Sequence, residues 1–595
     1  VSVGLLGRSP FAIRLPSFFV GFITLAACYS LARSLFDRIT ARYALAVLAV
    51  TFWHIHLSRV AYRAVLLPLF SALFLTAIVR ALKYNRPTSW SAGGFLYGLS
   101  WYTYMAARFT PVAMVALLVF GTAIRRNWLH KRLSARNLSL FIIPALIVLL
   151  PLGCYTISHP GMIFNRSSQV SIFNSQINGG DLPGTVLRHT LKSAGMFFIQ
   201  GDHIWRHNLS MRPVWDLGLA LAFILGLGVC MARFRGQPIL TAVLIWTLVM
   251  LVPTLLAEDA PHFLRAVGVL PTAALIPALG LSWLQDRIAR WLNGPAANQA
   301  WNAKLHILIG LPWALVLSSG LLSTIDYFIK YAQAPLTYHW FETGPVELAQ
   351  SINAATGNGW TGQRNLAVKD NSKEVVIAQE LWASWTSVPF LVPEESITFL
   401  DAAPLPVQEG TVFAIWPYGD WRAKVLPLLP HPSYLHIKQG PSAQGDLDPE
   451  PYPIALFLYA EALPPLPERI AEYQNGMDLY AVLVDGDPQK LIINLWWGSA
   501  KRQIRAATVF VHYMRDGIRI SQDDGQPAEN QLPTTTWVPG DIILDQHDLT
   551  GLTPDADKDS LRIGLYDSET GEAIPRMHNG QKVSPWLEST IIFMP

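Results

Sequence analysis

Carboxylates are scarce in the first 330 residues of this 595-residue chain, where 8 Asp or Glu stand against 28 Lys or Arg. The rest reverses the balance with 33 acids against 17 bases, so a net charge of +4 conceals a basic part and an acidic part. Cysteine is nearly absent too. Cys28, Cys154 and Cys230 all lie in apolar stretches of the basic part, which excludes a disulfide framework and a cysteine metal site. Charged residues make up only 14% against 51% hydrophobic ones, too apolar for a wholly soluble protein, and disorder, collagen and coiled coil are excluded. No charged segment followed by an apolar core opens the chain, so no intact signal peptide is expected. A first residue of Val points to a chain that begins part-way into a longer protein.

What is present is a series of apolar runs near 15–34, 43–55, 65–79, 91–107, 110–124, 138–156, 217–232, 239–257, 267–283 and 305–326. A helix needs roughly 20 residues to cross about 30 Å of hydrocarbon. Several runs are shorter, yet so many among so few acids predict about ten membrane spans, with 43–55 and 65–79 the weakest. Loop charge supports this reading. Basic residues follow every second span: Arg33, Arg38 and Arg42, then Arg80, Lys83 and Arg86, then a cluster from Arg125 to Arg136, then Arg233 and Arg235, then Arg287, Arg290 and Lys304. By the positive-inside rule these connections face the cytoplasm of a multi-pass plasma-membrane protein. Residue 1, the 157–214 loop and everything after about 330 are then extracytoplasmic. Basic residues committed to topology leave no groove-facing patch for nucleic acid.

The acidic part divides again. Residues 333–465 mix strand-like runs (Val375 to Ala378, Thr411 to Trp416, Ile454 to Tyr459) with helix-like stretches at 344–355 and 420–428, as a small α/β domain would. Residues 475–595 read as short alternating strands punctuated by Asp-Gly at 516 and 524, Pro-Gly at 539 and Thr-Gly at 570, the spacing of a β-sandwich.

The informative polar residues cluster at the external ends of the spans: Arg59 and Arg63 in HLSRVAYR, Tyr102, Tyr104 and Arg108 in GLSWYTYMAARF, and Glu258, Asp259, His262 and Arg265 in EDAPHFLRA. Arginine near hydrocarbon costs about 2.5–3.5 kcal/mol on insertion scales and is usually matched by a partner or a polar cavity. Any one of them could reach headgroups from a helix end. Four together, against the positive-inside trend, ask for an anion, and guanidinium forks suit phosphate. Tyr102 and Tyr104 fit an interfacial belt as well as a ligand pocket, and their period of two predicts a helix end. The external loop carries FNRSSQV (164–170) and GDHIWRHN (201–208); Asp202, His203, Arg206 and His207 are metal-ligand or entrance types, at a spacing that matches no closed zinc site. Glu258 and Asp259 could hold a divalent cation or pair with Arg265.

The segments FAIRLPSFFVGFITLAACYSLARSLF (11–36), HLSRVAYR, GLSWYTYMAARFTP and EDAPHFLRAVGVLPTAALIPALGL (258–281) together resemble the membrane core of the C-fold glycosyltransferases, in particular bacterial relatives of dolichyl-phosphate-mannose protein mannosyltransferase and of aminoarabinose lipid A transferase. The resemblance implies transfer of a sugar from a polyprenyl-phosphate donor to a protein, lipid or polysaccharide acceptor outside the cytoplasm. By matching position it implies that Arg59, Arg63, His262 and Arg265 hold the lipid phosphate; Tyr102, Tyr104, Arg108, Asp259, Asp202 and His203 are, from their own placement, expected to line the sugar or acceptor pocket. No cofactor beyond a possible divalent cation is implied. The family's acidic base follows its first span. No Asp or Glu occurs in residues 1–10, so that base is expected before Val1, and the chain as it stands is expected to lack it. Residues 510–549 and 561–576 resemble the β-sandwich appended to bacterial membrane glycosyltransferases, with Trp496, Trp497 and Trp537 either stacking on sugars or filling the sandwich core. A transporter or flippase of an anionic or lipid-linked substrate is the alternative, although the inverted repeats common in transporters are not found. A membrane-tethered glycan-binding protein is the third reading.

Overall fold

The computed structural model describes residues 2–159, 171–292, 306–357, 373–401, 408–487, 490–550, 552 and 559–590. Chain contacts divide it into two units, Val1–Phe341 and Glu342–Pro595.

The first unit is helical, and helix lies on each of the ten apolar runs. Caps fix several starts. Ser9 accepts from the Ala12 N–H ahead of Pro10–Leu35, Asp37 accepts from Ile39 and Thr40 ahead of Arg38–Val50, and Asp216 accepts from Gly218 and Leu219 ahead of Leu217–Arg233. Among the described residues seven helices are long and apolar enough to cross a membrane: Pro10–Leu35, Arg63–Tyr84, Met105–Ile124, Ala135–Ser158, Pro238–Leu255, Phe263–Leu292 and Leu308–Tyr331; Leu217–Arg233 is a shorter apolar helix. The run at 43–55 breaks at Thr51 into Arg38–Val50 and Phe52–Arg59, and the run at 91–107 stops as helix at Ser100. The 157–214 loop holds the helices Ser175–Asn178 and Leu182–Gly195; its FNRSSQV segment lies outside the described residues.

Helices Leu217–Arg233 and Leu275–Leu292 approach so closely that only glycine fits. A Cβ on Gly226 would stand 1.8 Å from the Ile276 carbonyl oxygen, and one on Gly280 would stand 2.0 Å from that of Ala222. Small residues at such crossings let backbones pack where no hydrophobic drive separates lipid from protein.

In the second unit a mixed sheet runs, among the described residues, from Gln581–Val583 through Met477–Asp487, Lys490–Ser499 and Ile542–Thr550 to Tyr434–Gln439, Leu456–Glu461, Val412–Ile415 and Val375–Ile377. The sections read as separate domains at 333–465 and 475–595 therefore share one sheet, joined where Ile542 and Ile543 pair in parallel with Tyr434 and Leu435. Residues 333–341 lie in the helical unit. Ile518–Gly525, Ala507–Arg515, Asp559–Asp567 and Trp586–Thr590 form a second sheet. Leu491, Ile493, Leu495 and Trp497 point at period two into the same core as Val509, Val511, Tyr513, Leu561 and Ile563, which makes the sandwich. Asp516 and Gly517, both at positive φ, close the hairpin between Ala507–Arg515 and Ile518–Gly525 in the manner of a type I′ turn. Trp497 and Trp537 are buried in this core, so neither is a sugar platform.

Two outcomes are expected. Gly280→Ala should cost about 1–3 kcal/mol by overpacking and lower the melting temperature in detergent. His547 lies between Asp545 and Asp523, at 3.0 and 3.3 Å. Burial opposes its charge, but the two carboxylates raise its pKa to about 10. The unfolded value is about 6.5, so the folded form retains the extra proton. This stabilisation is complete below the unfolded value and fades as pH rises through the folded one. Fluorimetric melting of the full chain should show the β-rich unit weakening from neutral pH to pH 10, with most of that slope absent in His547→Asn.

Candidate functional site

Non-helical chain gathers at one end of the helical unit. After Arg38–Val50 ends, the short helix Phe52–Arg59 buries Phe52, Trp53, His54, His56 and Leu57, and leaves Arg59 exposed. A 3₁₀ turn at Arg63–Val65 then feeds Leu66–Tyr84. The loop 201–216, the stretch 256–266 and the π-helical turn Asp326–Tyr331 meet this segment.

His56 and Tyr62 converge on one carbonyl of the loop. His56 Nε2 stands 3.0 Å from the Arg206 carbonyl, which can only accept, so that nitrogen carries the proton. The Tyr62 hydroxyl donates to the same oxygen at 3.4 Å. Tyr331 donates to the Trp205 carbonyl, and its ring stacks on Trp205 with centroids 6.1 Å apart. The Arg59 guanidinium lies over the rings of Tyr327 and Phe328, at 5.3 and 5.0 Å. Arg14 lies 5.8 Å over Phe341. Arg212 differs from these. Its Nε donates to Asp326 at 2.8 Å and its Nη2 to Ser323 at 3.1 Å, and Lys330 is 2.8 Å from the same carboxylate.

Asp202 organises the loop. Its carboxylate accepts from the Ile204 N–H at 2.9 Å and the Phe263 N–H at 2.7 Å, and faces His207 Nδ1 at 3.2 Å. Burial works against ionisation, but the His207 ring and the Phe263 N–H hold the carboxyl below the usual carboxylate range. The His207 ring packs tilted against that of His262, with centroids 4.6 Å apart. Burial, with His207 and Arg265 alongside and against the pull of Asp202, pushes His262 down to about 3. His262 is thus neutral near pH 7. Its Nδ1 is buried without a hydrogen-bond partner among the described residues.

The structure joins Arg59, His262 and Arg265 through ring contacts of Tyr327, Tyr331, His56 and His207, with His56 to His207 and His262 to Arg265 linked electrostatically. Tyr104 lies near enough to Tyr62 for the two hydroxyls to interact electrostatically. The remaining sequence candidates fall elsewhere or are already engaged. Arg63 is exposed, and its side chain makes no ion pair or ring contact among the described residues. Tyr102 donates to the Val148 carbonyl at 2.7 Å and accepts from the Leu152 N–H at 3.3 Å, bridging a turn of the Ala135–Ser158 helix. Arg108 is exposed on the 3₁₀ turn Met105–Phe109, which forms the helix end expected from YTYMAAR. His203, Glu258 and Asp259 are exposed, with Glu258 3.9 Å from Arg265. Asp202 is fully buried. Arg14, His56, Tyr62, Tyr327 and Tyr331 went unread in the sequence. Tyr327 and Tyr331, four apart on one helical face, carried a signal; the others needed the fold.

Asp202, His207 and His262 also offer one ligand atom each, all within 4.8 Å of one another. Two imidazole nitrogens and a carboxylate oxygen suit Zn²⁺ or a similar ion, and the unpartnered His262 nitrogen leaves a donor for it.

Residues 1–154 match the family model described as dolichyl-phosphate-mannose-protein mannosyltransferase. No curated protein matches the chain. Among solved structures it is similar to apo ArnT from Cupriavidus metallidurans, at 13% identity and a TM-score of 0.42 over 78% of this chain and 87% of that one. It is also similar to the oligosaccharyltransferase of Archaeoglobus fulgidus carrying a tethered acceptor peptide, at 14% identity and a TM-score of 0.35 over 66% of this chain. The chain spans about half the length of that archaeal protein, 52%. The family match, with the apolar helices, makes this a multi-pass membrane protein.

Removal of the Asp202 carboxylate should unlatch the loop. Asp202→Ala leaves buried donors unpaired and should cost about 3–5 kcal/mol, read as a lower melting temperature, whereas His203→Ala should leave it unchanged.

Proposed function

We propose that this chain transfers a sugar from a polyprenyl-phosphate donor to an acceptor at the extracytoplasmic surface of the plasma membrane. The match of residues 1–154 to a family defined by a prenyl-phosphate sugar donor supports the reaction class. The observation that carries the proposal is the gathering of Arg59, His262 and Arg265 with the Tyr62, Tyr327 and Tyr331 rings at one end of the helices.

When the bond between the anomeric carbon and the phosphate oxygen breaks, negative charge grows on the departing lipid phosphate. Guanidinium groups already in place offset that charge without reorganisation. Arg59, braced on two aromatic faces, supplies one cation, and Arg265 supplies the second. The neutral His262 contributes a dipole and a hydrogen-bonding nitrogen. Arg63 and Arg108, exposed nearby, would meet headgroups or the acceptor, and Tyr104, Asp259 and His203 would border the sugar. Should a divalent cation take part, Asp202, His207 and His262 would hold it and add positive charge beside the phosphate. The acceptor is a protein, lipid or polysaccharide hydroxyl or amine presented from outside, which agrees with placing the residues after about 330 on that side.

The transporter alternative is less well supported. Transporters place their binding groups near the bilayer midplane, in paired interrupted helices. Here the cationic residues sit at helix ends.

In the full-length protein, Arg265→Ala and Arg59→Ala should each lower turnover of a polyprenyl-phosphate sugar about a hundredfold, the scale for losing one donor to a developing anion. Melting temperature should barely move. Wild-type turnover in both variants would remove the phosphate-holding role.

A further inference from the structure

The helices that carry this cluster enclose something different at their other end. A cavity of about 800 Å³ opens between Pro10–Leu35, Leu66–Tyr84, Thr110–Arg132 and Pro238–Leu255. Its wall is almost wholly apolar, with Phe36, Ile78, Trp128, Ala242 and Trp246 among the lining residues and Lys83 the one charged side chain among the described residues. The volume lies in the range of about 300–1,000 Å³ typical of ligand-holding clefts.

The rim is strongly basic. Residues 33–38, 80–90, 128–137 and 233–242 contain ten Lys or Arg and a single acid, Asp37. Three of these cations touch the cavity wall. Lys83 lines it and donates to the Ser34 carbonyl at 3.0 Å, which leaves further ammonium donors. Arg33 donates to the Phe36 carbonyl at 3.4 Å, and Arg132 lies 6.0 Å over the Trp128 ring. Asp37 is taken up by capping, accepting from Ile39, Thr40 and the Thr40 hydroxyl. An apolar hollow between membrane helices with an uncompensated basic mouth suits one kind of molecule, an anionic lipid with its phosphate at the mouth and its chains inside.

We propose that this cavity binds one anionic diacyl phospholipid of the leaflet opposite the Arg59–Arg265 cluster. The two sites are separate. Leu66–Tyr84 begins just beyond Arg63 and ends at the Lys83 rim, 19 residues later, which at 1.5 Å per residue is about 28 Å. The lipid would therefore be a resident of the fold and not the sugar donor.

The test is native mass spectrometry of the full-length protein, stripped of lipid in detergent and titrated with phosphatidylglycerol or with phosphatidylcholine of the same chain length. One phosphatidylglycerol should bind at least tenfold tighter than phosphatidylcholine. Lys83→Gln should abolish that preference. Ala242→Phe, which fills the cavity, should weaken both lipids at least tenfold; Ile78→Trp serves the same purpose if the first variant does not fold. Equal affinity of the wild-type protein for the two lipids would overturn the proposal and mark an unselective annular groove. So would unchanged phosphatidylglycerol binding in both kinds of variant. One-for-one expulsion by undecaprenyl phosphate would also overturn it, and would assign the cavity to a prenyl tail.

Discussion

Backbone amides have no partner in hydrocarbon, so a chain crossing a bilayer must stay helical until it reaches water or a polar pocket of its own making. The helical unit obeys this through most of its length and departs from it at one end. There Arg38–Val50 gives way to a second short helix, Pro87–Ser100 unwinds into a 3₁₀ turn, Pro238–Leu255 runs into the EDAPH stretch, and Leu311–Ile325 loosens into a π-helical turn. Backbone groups of the irregular segments that meet there are satisfied by side chains of other segments: the Arg206 and Trp205 carbonyls by His56, Tyr62 and Tyr331, and the Phe263 amide by Asp202. The polar cluster follows from this need.

The arginines divide by how their charge is met. Arg212 has its charge neutralised by Asp326 and serves to tie the 201–216 loop to the π-helical turn that ends Leu311–Ile325. Arg212 also lies 4.9 Å over the Phe52 ring, whereas Arg59 and Arg14 rest on aromatic faces with no carboxylate within ion-pair distance of either among the described residues. A ring face holds a guanidinium in place through its quadrupole while leaving most of the charge for another partner. The scarcity of acids in the first 330 residues now has a second meaning beyond membrane residence. Of the 8, Asp37 and Asp216 cap helices, Asp202 latches a loop and Asp326 neutralises Arg212, so few remain to quench cations at the surface.

Much of the architecture could be read from the chain because hydropathy and charge repeat over many residues. The ten apolar runs are all helical, and the Asp-Gly at 516 sits in the hairpin its chemistry demands. The site was read less completely, for a physical reason. Tyr102 and Tyr104 are alike in sequence, but the first reaches a helix carbonyl at Val148 while the second lies near enough to Tyr62 to influence it electrostatically, and no local pattern separates them. His262 and His207 are 55 positions apart, and only the meeting of two loops packs their rings together. The sheet that links Tyr434 to Ile542 was invisible for the same cause: a parallel pairing between distant strands leaves no local signature.

Neutrality of His262 bears on how the cluster can work. A protonated imidazole there would add a third full charge beside Arg265 and would repel it, whereas the buried neutral ring can sit against His207 and Arg265 at no such cost. Its unpartnered nitrogen then retains a lone pair that can accept a proton or bind an ion. Acidification would have to charge a ring hemmed in by His207 and Arg265, which burial resists, while Asp202 keeps its own charge through the same range. Within the cluster, His262 therefore stays neutral and Asp202 stays ionised across neutral and mildly acidic pH, so the ring beside Arg265 adds no charge to compete with an incoming anion.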